Sequence, residues 1–157
     1  MSSEAAETVV HATCVAVGGR GVLLLGPPGS GKSDLALRLI DTAGFGVGLT
    51  QLHAQLVADD QVKLTRAGDH LMAQAPASLA GLLEIRGLGI VRVKHLASIS
   101  VELAVQLRPH SEIERMPELT EQRHVVLGVG IPLIEIDPAA ASAPARVRAA
   151  VHHLFSP

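Results

Sequence analysis

Gly26-Pro27-Pro28-Gly29-Ser30-Gly31-Lys32-Ser33 is the stretch that decides the fold. It meets every constrained position of the phosphate-loop pattern G-x-x-x-x-G-K-[S/T]. Val22-Leu23-Leu24-Leu25 in front of it is a short apolar run that reads as a buried strand. Behind it, Leu35, Ala36, Leu39 and Ile40 share one face at helical spacing. Strand, glycine loop and helix together build an anion site from backbone N–H groups and a helix N-terminus. Lys32 adds a cation for the β- and γ-phosphates, and the Ser33 hydroxyl is placed to ligate Mg²⁺. Residues Gly26, Pro27, Pro28, Gly29, Ser30, Gly31, Lys32 and Ser33 are therefore the expected set for binding a nucleotide's phosphates.

Composition narrows the remaining choices. A chain of 157 residues with 48% hydrophobic content suits one folded domain. Phe45 and Phe155 are its only aromatic residues, so the core must be aliphatic. That scarcity, with a net charge of −2, argues against nucleic acid and anionic membranes as partners. A single cysteine, Cys14, excludes an internal disulfide framework and reads as a small buried side chain. Residues 1–7 carry acids and no apolar core, so they read as a disordered terminus and not a signal peptide. The expected location is the cytoplasm.

Along the chain, the β-branched run Thr8 to Val17 reads as one strand, turned at Gly18-Gly19 into a second, Arg20 to Leu25. The loop helix runs to about Thr42. Gly44, Gly46 and Gly48 punctuate a stretch to Ala54 that reads as a flexible excursion. Further strands are expected at 55–58, in a hairpin over 61–75, at 82–85 and 90–93, and at 101–107. Strand-like residues continue from 125 to 136, broken by Gly128, Gly130 and Pro132. A helix is expected over 139–155, kinked or bounded at Pro144. Strands outnumber helices, so a mixed sheet around the phosphate loop is expected in place of alternating βα units.

Two further segments carry chemistry. Asp59-Asp60 ends an apolar strand, where acids near a phosphate loop serve magnesium or accept a proton from a nucleophile. Adjacent strand residues point to opposite faces, so the two carboxylates need not share one task. Glu84-Ile85-Arg86-Gly87-Leu88-Gly89 places a carboxylate inside an apolar run, which calls for a partner, either a metal or Arg86. The glycines allow loop movement, and Arg86 is suited to stabilise charge on a transferring phosphoryl group.

Gly26 to Ser33, Leu56-Val57-Ala58-Asp59-Asp60 and Leu82 to Ile90 together make the chain resemble the catalytic domain of the HPr kinase/phosphorylase family. These bacterial enzymes phosphorylate a serine of the phosphocarrier HPr. The resemblance implies an α/β phosphate-loop kinase fold with a mixed β-sheet and a phosphoenolpyruvate carboxykinase-like core, over residues 8–157. It implies ATP and Mg²⁺ as cofactors, and HPr or a related phosphocarrier as partner. It assigns His11 to the active site and Lys32 to the phosphates. Asp60 becomes the proton acceptor, with Asp59 the second candidate. Ser33 and Glu84 become magnesium ligands, and Arg86 belongs to the signature loop. It also implies self-association, the expected homo-oligomer.

The chain resembles the short, single-domain form of that family. The connection from Gly44 to Ala54 is longer than the family pattern. The family's C-terminal arginine segment is matched by Ile131 to Pro138, which holds no arginine before Arg146 and Arg148. The reverse phosphorylase reaction is therefore not expected with the same weight as the kinase reaction. Two other readings stay open from sequence: a small-molecule kinase, and a nucleotide-binding regulatory module without transfer.

Overall fold

The computed structural model describes residues 6–156. Two strands precede the helix-bearing core, β1 (Glu7–Val10) and β2 (Thr13–Val17). The single strand expected over 8–17 is therefore broken at His11-Ala12, where β1 leaves to pair with β5 (Val62–Ala67) while β2 joins the opposite half of the sheet. After the Gly18-Gly19 turn, β3 (Arg20–Leu25) pairs antiparallel with β2 and delivers the chain to the phosphate loop. Helix α1 (Lys32–Asp41) follows directly.

Strands β4 (Ala54–Ala58) and β5, then β6 (His70–Gln74), come next. A separate hairpin is formed by β7 (Leu82–Ile85) and β8 (Gly89–Arg92). Strand β9 (Ile99–Leu107) is the longest; β10 (Arg123–Val126) and β11 (Val129–Ile136) form a hairpin before helix α2 (Ala143–Phe155). The main sheet runs β1-β5-β6-β9-β3-β2-β4, with β11 on β9 and β10 on β11.

Strand β9 explains how that sheet curls. Its first residues, Ile99 and Ser100, pair antiparallel with β6, and Ala104 to Leu107 pair parallel with β11. Its other edge pairs parallel with β3. One strand thus serves two successive partners, and the sheet divides there. Pro132, which has no N–H to give, sits one residue before the β11–β9 register begins at Leu133.

Alternation along the central strands builds two cores. Val15, Val17, Val22, Leu24, Leu103 and Val105 face the helices, against Leu35, Leu39, Val147 and Val151. Cys14, Ala16, Leu23 and Ala104 face the opposite side, covered by Leu64, Leu71 and Ala73 from the curled-over β5 and β6. Burying a full Leu or Val side chain contributes roughly 1.5–3 kcal/mol, so these aliphatic layers carry the fold without aromatics.

The second helix begins later than the sequence pattern suggests. Asp137 and Pro138 form a turn, and Pro144 lies in the first turn of α2, where a missing N–H costs nothing. Of the kink or boundary expected at Pro144, the structure has the boundary. The stretch from Gly44 to Ala54 is also not a free excursion. Arg148 of α2, 3% exposed, donates from Nε to the Leu52 carbonyl at 2.9 Å and from Nη2 to the Leu39 carbonyl at 2.7 Å and to the Thr42 carbonyl. These are α1 C-terminal and loop carbonyls that lack partners of their own. Gly46 rests against α2 so closely that a Cβ there would lie 2.5 Å from the Ala149 backbone nitrogen. The glycines serve close packing, and β4 keeps its place beside β2.

Candidate active site

The phosphate loop connects β3 to α1 at the edge of the helix-side core. Gly31, with φ of 101°, is the N-cap residue, a left-handed conformation that an L side chain resists. Pro138, from the turn before α2, packs against it. Arg38, in the last turn of α1, donates to the Pro138 carbonyl at 2.5 Å and pairs with Asp34 at 3.0 Å, so the loop helix is tied to that turn.

Lys32 is buried, and its ammonium donates to the carbonyls of Gly26 at 2.6 Å and Pro27 at 3.0 Å. Burial lowers its pKa below the ordinary lysine value, while the nearby Asp60 and Asp59 charges act in the opposite sense. The cation therefore lies folded back on the loop, with acids close by.

Asp59, at the end of β4, is 6% exposed and fully engaged. Its Oδ1 accepts from Ser33 Oγ at 2.7 Å and from Thr13 Oγ1 at 2.9 Å. Its Oδ2 accepts the Glu84 N–H at 3.1 Å. One carboxylate thus joins α1, β2 and β7. Asp60 differs in every respect. It is exposed, has φ of 68°, and lines the cleft. The turn is closed by the Gln61 N–H on the Asp59 carbonyl at 2.7 Å.

A cleft of about 690 Å³ opens beside the loop. Pro28, Gly29, Gly31, Lys32 and Ser33 line one side, and Asp60, Glu84, Ile85 and Arg86 the other, with Thr13 at its base. Glu84 and Arg86 are both exposed. Glu84, expected from sequence at the edge of a buried strand, is instead open to solvent. Hairpin β7–β8 has only one packed face, with Leu83 buried beneath it, and Glu84 projects from the other toward the cleft.

The remaining expected site residues lie elsewhere. His11 is exposed in the β1–β2 connection and is not among the cleft-lining side chains. Arg146 is exposed and donates to Ser142 Oγ at 2.8 Å, and Arg148 is committed to the loop carbonyls. Sequence reasoning passed over Thr13, whose β-branched side chain is indistinguishable from strand filler until its partner Asp59 is located.

The donor set fits a hard cation. Ser33, Asp59, Asp60 and Glu84 offer oxygen only, and Mg²⁺ uses one or two protein oxygens together with phosphate and water. Among the described residues no group of three or more His, Cys, Asp or Glu stands together as a metal site. Among the same residues no helix is long and apolar enough to cross a membrane.

Comparison with known proteins agrees with this geometry. Residues 2–153 match the family model for the HPr serine kinase C-terminal domain. The chain is 37% identical to an HPr kinase/phosphorylase of Cupriavidus necator over 87% of its own length, and 38% identical to one of Burkholderia lata over the same share. It spans 42% of the length of these relatives. Among solved structures, the Hpr(Ser) kinase/phosphatase from Coxiella burnetii superposes with a TM-score of 0.75 at 25% identity, covering 94% of this chain and 97% of that one. The fold is that of a phosphate-loop kinase with a mixed, curled sheet.

Proposed function

The chain belongs to the HPr serine kinase C-terminal domain family, and from that premise we propose that it transfers the γ-phosphoryl group of ATP to a serine of HPr or a related phosphocarrier protein. The observation that carries this reading is the division of labour between two adjacent acids. Asp59 is buried and held by three donors, while Asp60 is open to the cleft beside Lys32 and Ser33.

A serine hydroxyl is a poor nucleophile, so a placed carboxylate helps by accepting its proton as attack proceeds. Asp60 takes that role, because its carboxylate faces the cleft while Asp59 is buried and already accepts three hydrogen bonds. The loop N–H groups of Gly29 to Ser33 hold the phosphates in line, and Lys32 turns from the Gly26 and Pro27 carbonyls to the transferring group. Ser33, Glu84 and Asp59 are the residues that would hold Mg²⁺, which supplies neutralisation of the charge shared by the two phosphates. Arg86, on the exposed hairpin, adds positive charge on the opposite side. His11, exposed in the β1–β2 connection, is open to the incoming protein. Residues 8–157 form the catalytic domain.

The kinase direction is favoured over the reverse phosphorylase reaction, since neither Arg146 nor Arg148 lines the cleft. A regulatory module without transfer would need the longer 44–54 connection to disable the acidic strand, and the Ser33–Asp59 bond of 2.7 Å speaks against that. Incubation with γ-labelled ATP, Mg²⁺ and purified phosphocarriers from the same genome tests the proposal. Label on a carrier serine supports it. Label on a small metabolite supports a small-molecule kinase, and tight nucleotide binding with no transfer to any acceptor supports a regulatory module.

A further inference from the structure

Thr13 places a hydroxyl in the fully buried stretch of β2, beneath the cleft. It is 0% exposed, between Ala12 and Cys14, which are equally buried. A hydroxyl in such surroundings is costly unless bonded. Its Oγ1 donates to Asp59 Oδ1 at 2.9 Å and stands 3.5 Å from the Asp60 N–H. A threonine hydroxyl has one proton and two lone pairs, so a single oxygen can address both groups. The proton goes to the carboxylate of one acid, and a lone pair faces the backbone of the next.

That second contact coincides with an unusual backbone. Asp60 has φ of 68°, a region that aspartate tolerates but does not prefer. The same conformation carries its side chain into the cleft, away from the buried side chain of Asp59. Thr13 itself stands on β2, fixed between β3 and β4 by pairing on both edges, with the neighbouring Cys14 opposite Ala58. It is thus a rigid post beside the two residues whose separation the reaction requires.

We propose that Thr13 is a positioning residue for the acidic pair. It holds the Asp59 carboxylate toward Ser33 and keeps Asp60 in the conformation that presents its carboxylate to the cleft. This inference rests on the kinase reading given above, and one of its two tests stands apart from transfer.

Thr13→Val keeps volume and β-branching and removes both polar contacts; Thr13→Ser keeps the hydroxyl. In the transfer assay, Thr13→Val lowers kcat by about ten-fold or more, leaves KM for the carrier within about two-fold, and Thr13→Ser recovers most of the loss. In calorimetry with a non-hydrolysable ATP analogue, Thr13→Val loses most of the affinity gained on adding Mg²⁺, while affinity without Mg²⁺ is unchanged; Thr13→Ser retains the gain. A wild-type chain that labels no carrier overturns the kinase reading, and the calorimetric arm still decides the role of Thr13. Thr13→Val matching the parent in calorimetry, Thr13→Ser failing as badly as Thr13→Val, or a parent whose nucleotide affinity ignores Mg²⁺ overturns the positioning role.

Discussion

The Ser33 hydroxyl donates a 2.7 Å hydrogen bond to Asp59, joining the first turn of α1 to the end of β4 across 26 residues of sequence. Because Thr13 and the Glu84 N–H reach the same carboxylate, Asp59 works as a junction between three elements. The acid that looks equivalent to it in sequence, Asp60, has no such duty.

Asp59→Asn puts an NH₂ group among donors that all require an acceptor. One of them must then go unsatisfied, which costs about 1–3 kcal/mol for a buried group. Asp60→Asn changes an exposed side chain and leaves stability within about 0.5 kcal/mol. Urea unfolding of the two variants checks the contrast; equal stability of both would remove the junction role from Asp59.

Lys32 gives a pH signature. Burial lowers its pKa from 10.5 in the folded chain, so above that lowered value the folded state has lost a proton the unfolded chain still holds. Stability from this group therefore rises with pH between the lowered value and 10.5. Lys32→Met abolishes that alkaline gain, leaves the protein at least as stable near neutrality, and weakens nucleotide binding by about ten-fold or more. Thermal melts across alkaline pH, with calorimetry at neutral pH, measure both. A variant that binds nucleotide like the parent contradicts the phosphate-gripping role.

Arg148 is the fastener of the 44–54 connection. Arg148→Met leaves the carbonyls of Leu39, Thr42 and Leu52 without their donor and costs about 3 kcal/mol or more. Proteolysis is expected to move to residues 44–50 in the variant. A variant that resists protease like the parent would show that the glycine-rich segment is held by something else.

Cys14 reports on the opposite core. Burial pushes its thiol up to about 12, so it is protonated and shielded at physiological pH. Iodoacetamide at mildly alkaline pH leaves it unmodified in the folded protein and alkylates it on unfolding. Rapid labelling under native conditions contradicts the packing of β2 described above.

The strand–loop–helix unit was legible in sequence because each of its requirements is local: apolar run, glycines, lysine, helical spacing. Most other strands were legible for the same reason. The glycine alternation at 44–48 misled, because its cause is the backbone of a helix about a hundred residues away, and a glycine kept for close packing looks like one kept for freedom. Glu84 misled because an apolar run does not say that one face of a two-stranded hairpin is open. The double pairing of β9 is invisible in one dimension, since the two halves of its edge carry the same kind of residues. Likewise, nothing local distinguishes Asp59 from Asp60. Only the positions of Thr13 and Ser33 in space separate the tethered acid from the open one.

The central claim is that Asp60 accepts the proton of a carrier serine while the phosphate loop holds ATP. The most direct measurement is single-turnover transfer from γ-labelled ATP to purified phosphocarrier, comparing the parent with Asp60→Asn and following nucleotide affinity in parallel. The account predicts serine-linked label from the parent, a rate lowered by about a hundred-fold or more in the variant, and nucleotide affinity unchanged within about two-fold. Full-rate transfer by Asp60→Asn, or no labelled serine from the parent on any carrier, would contradict it.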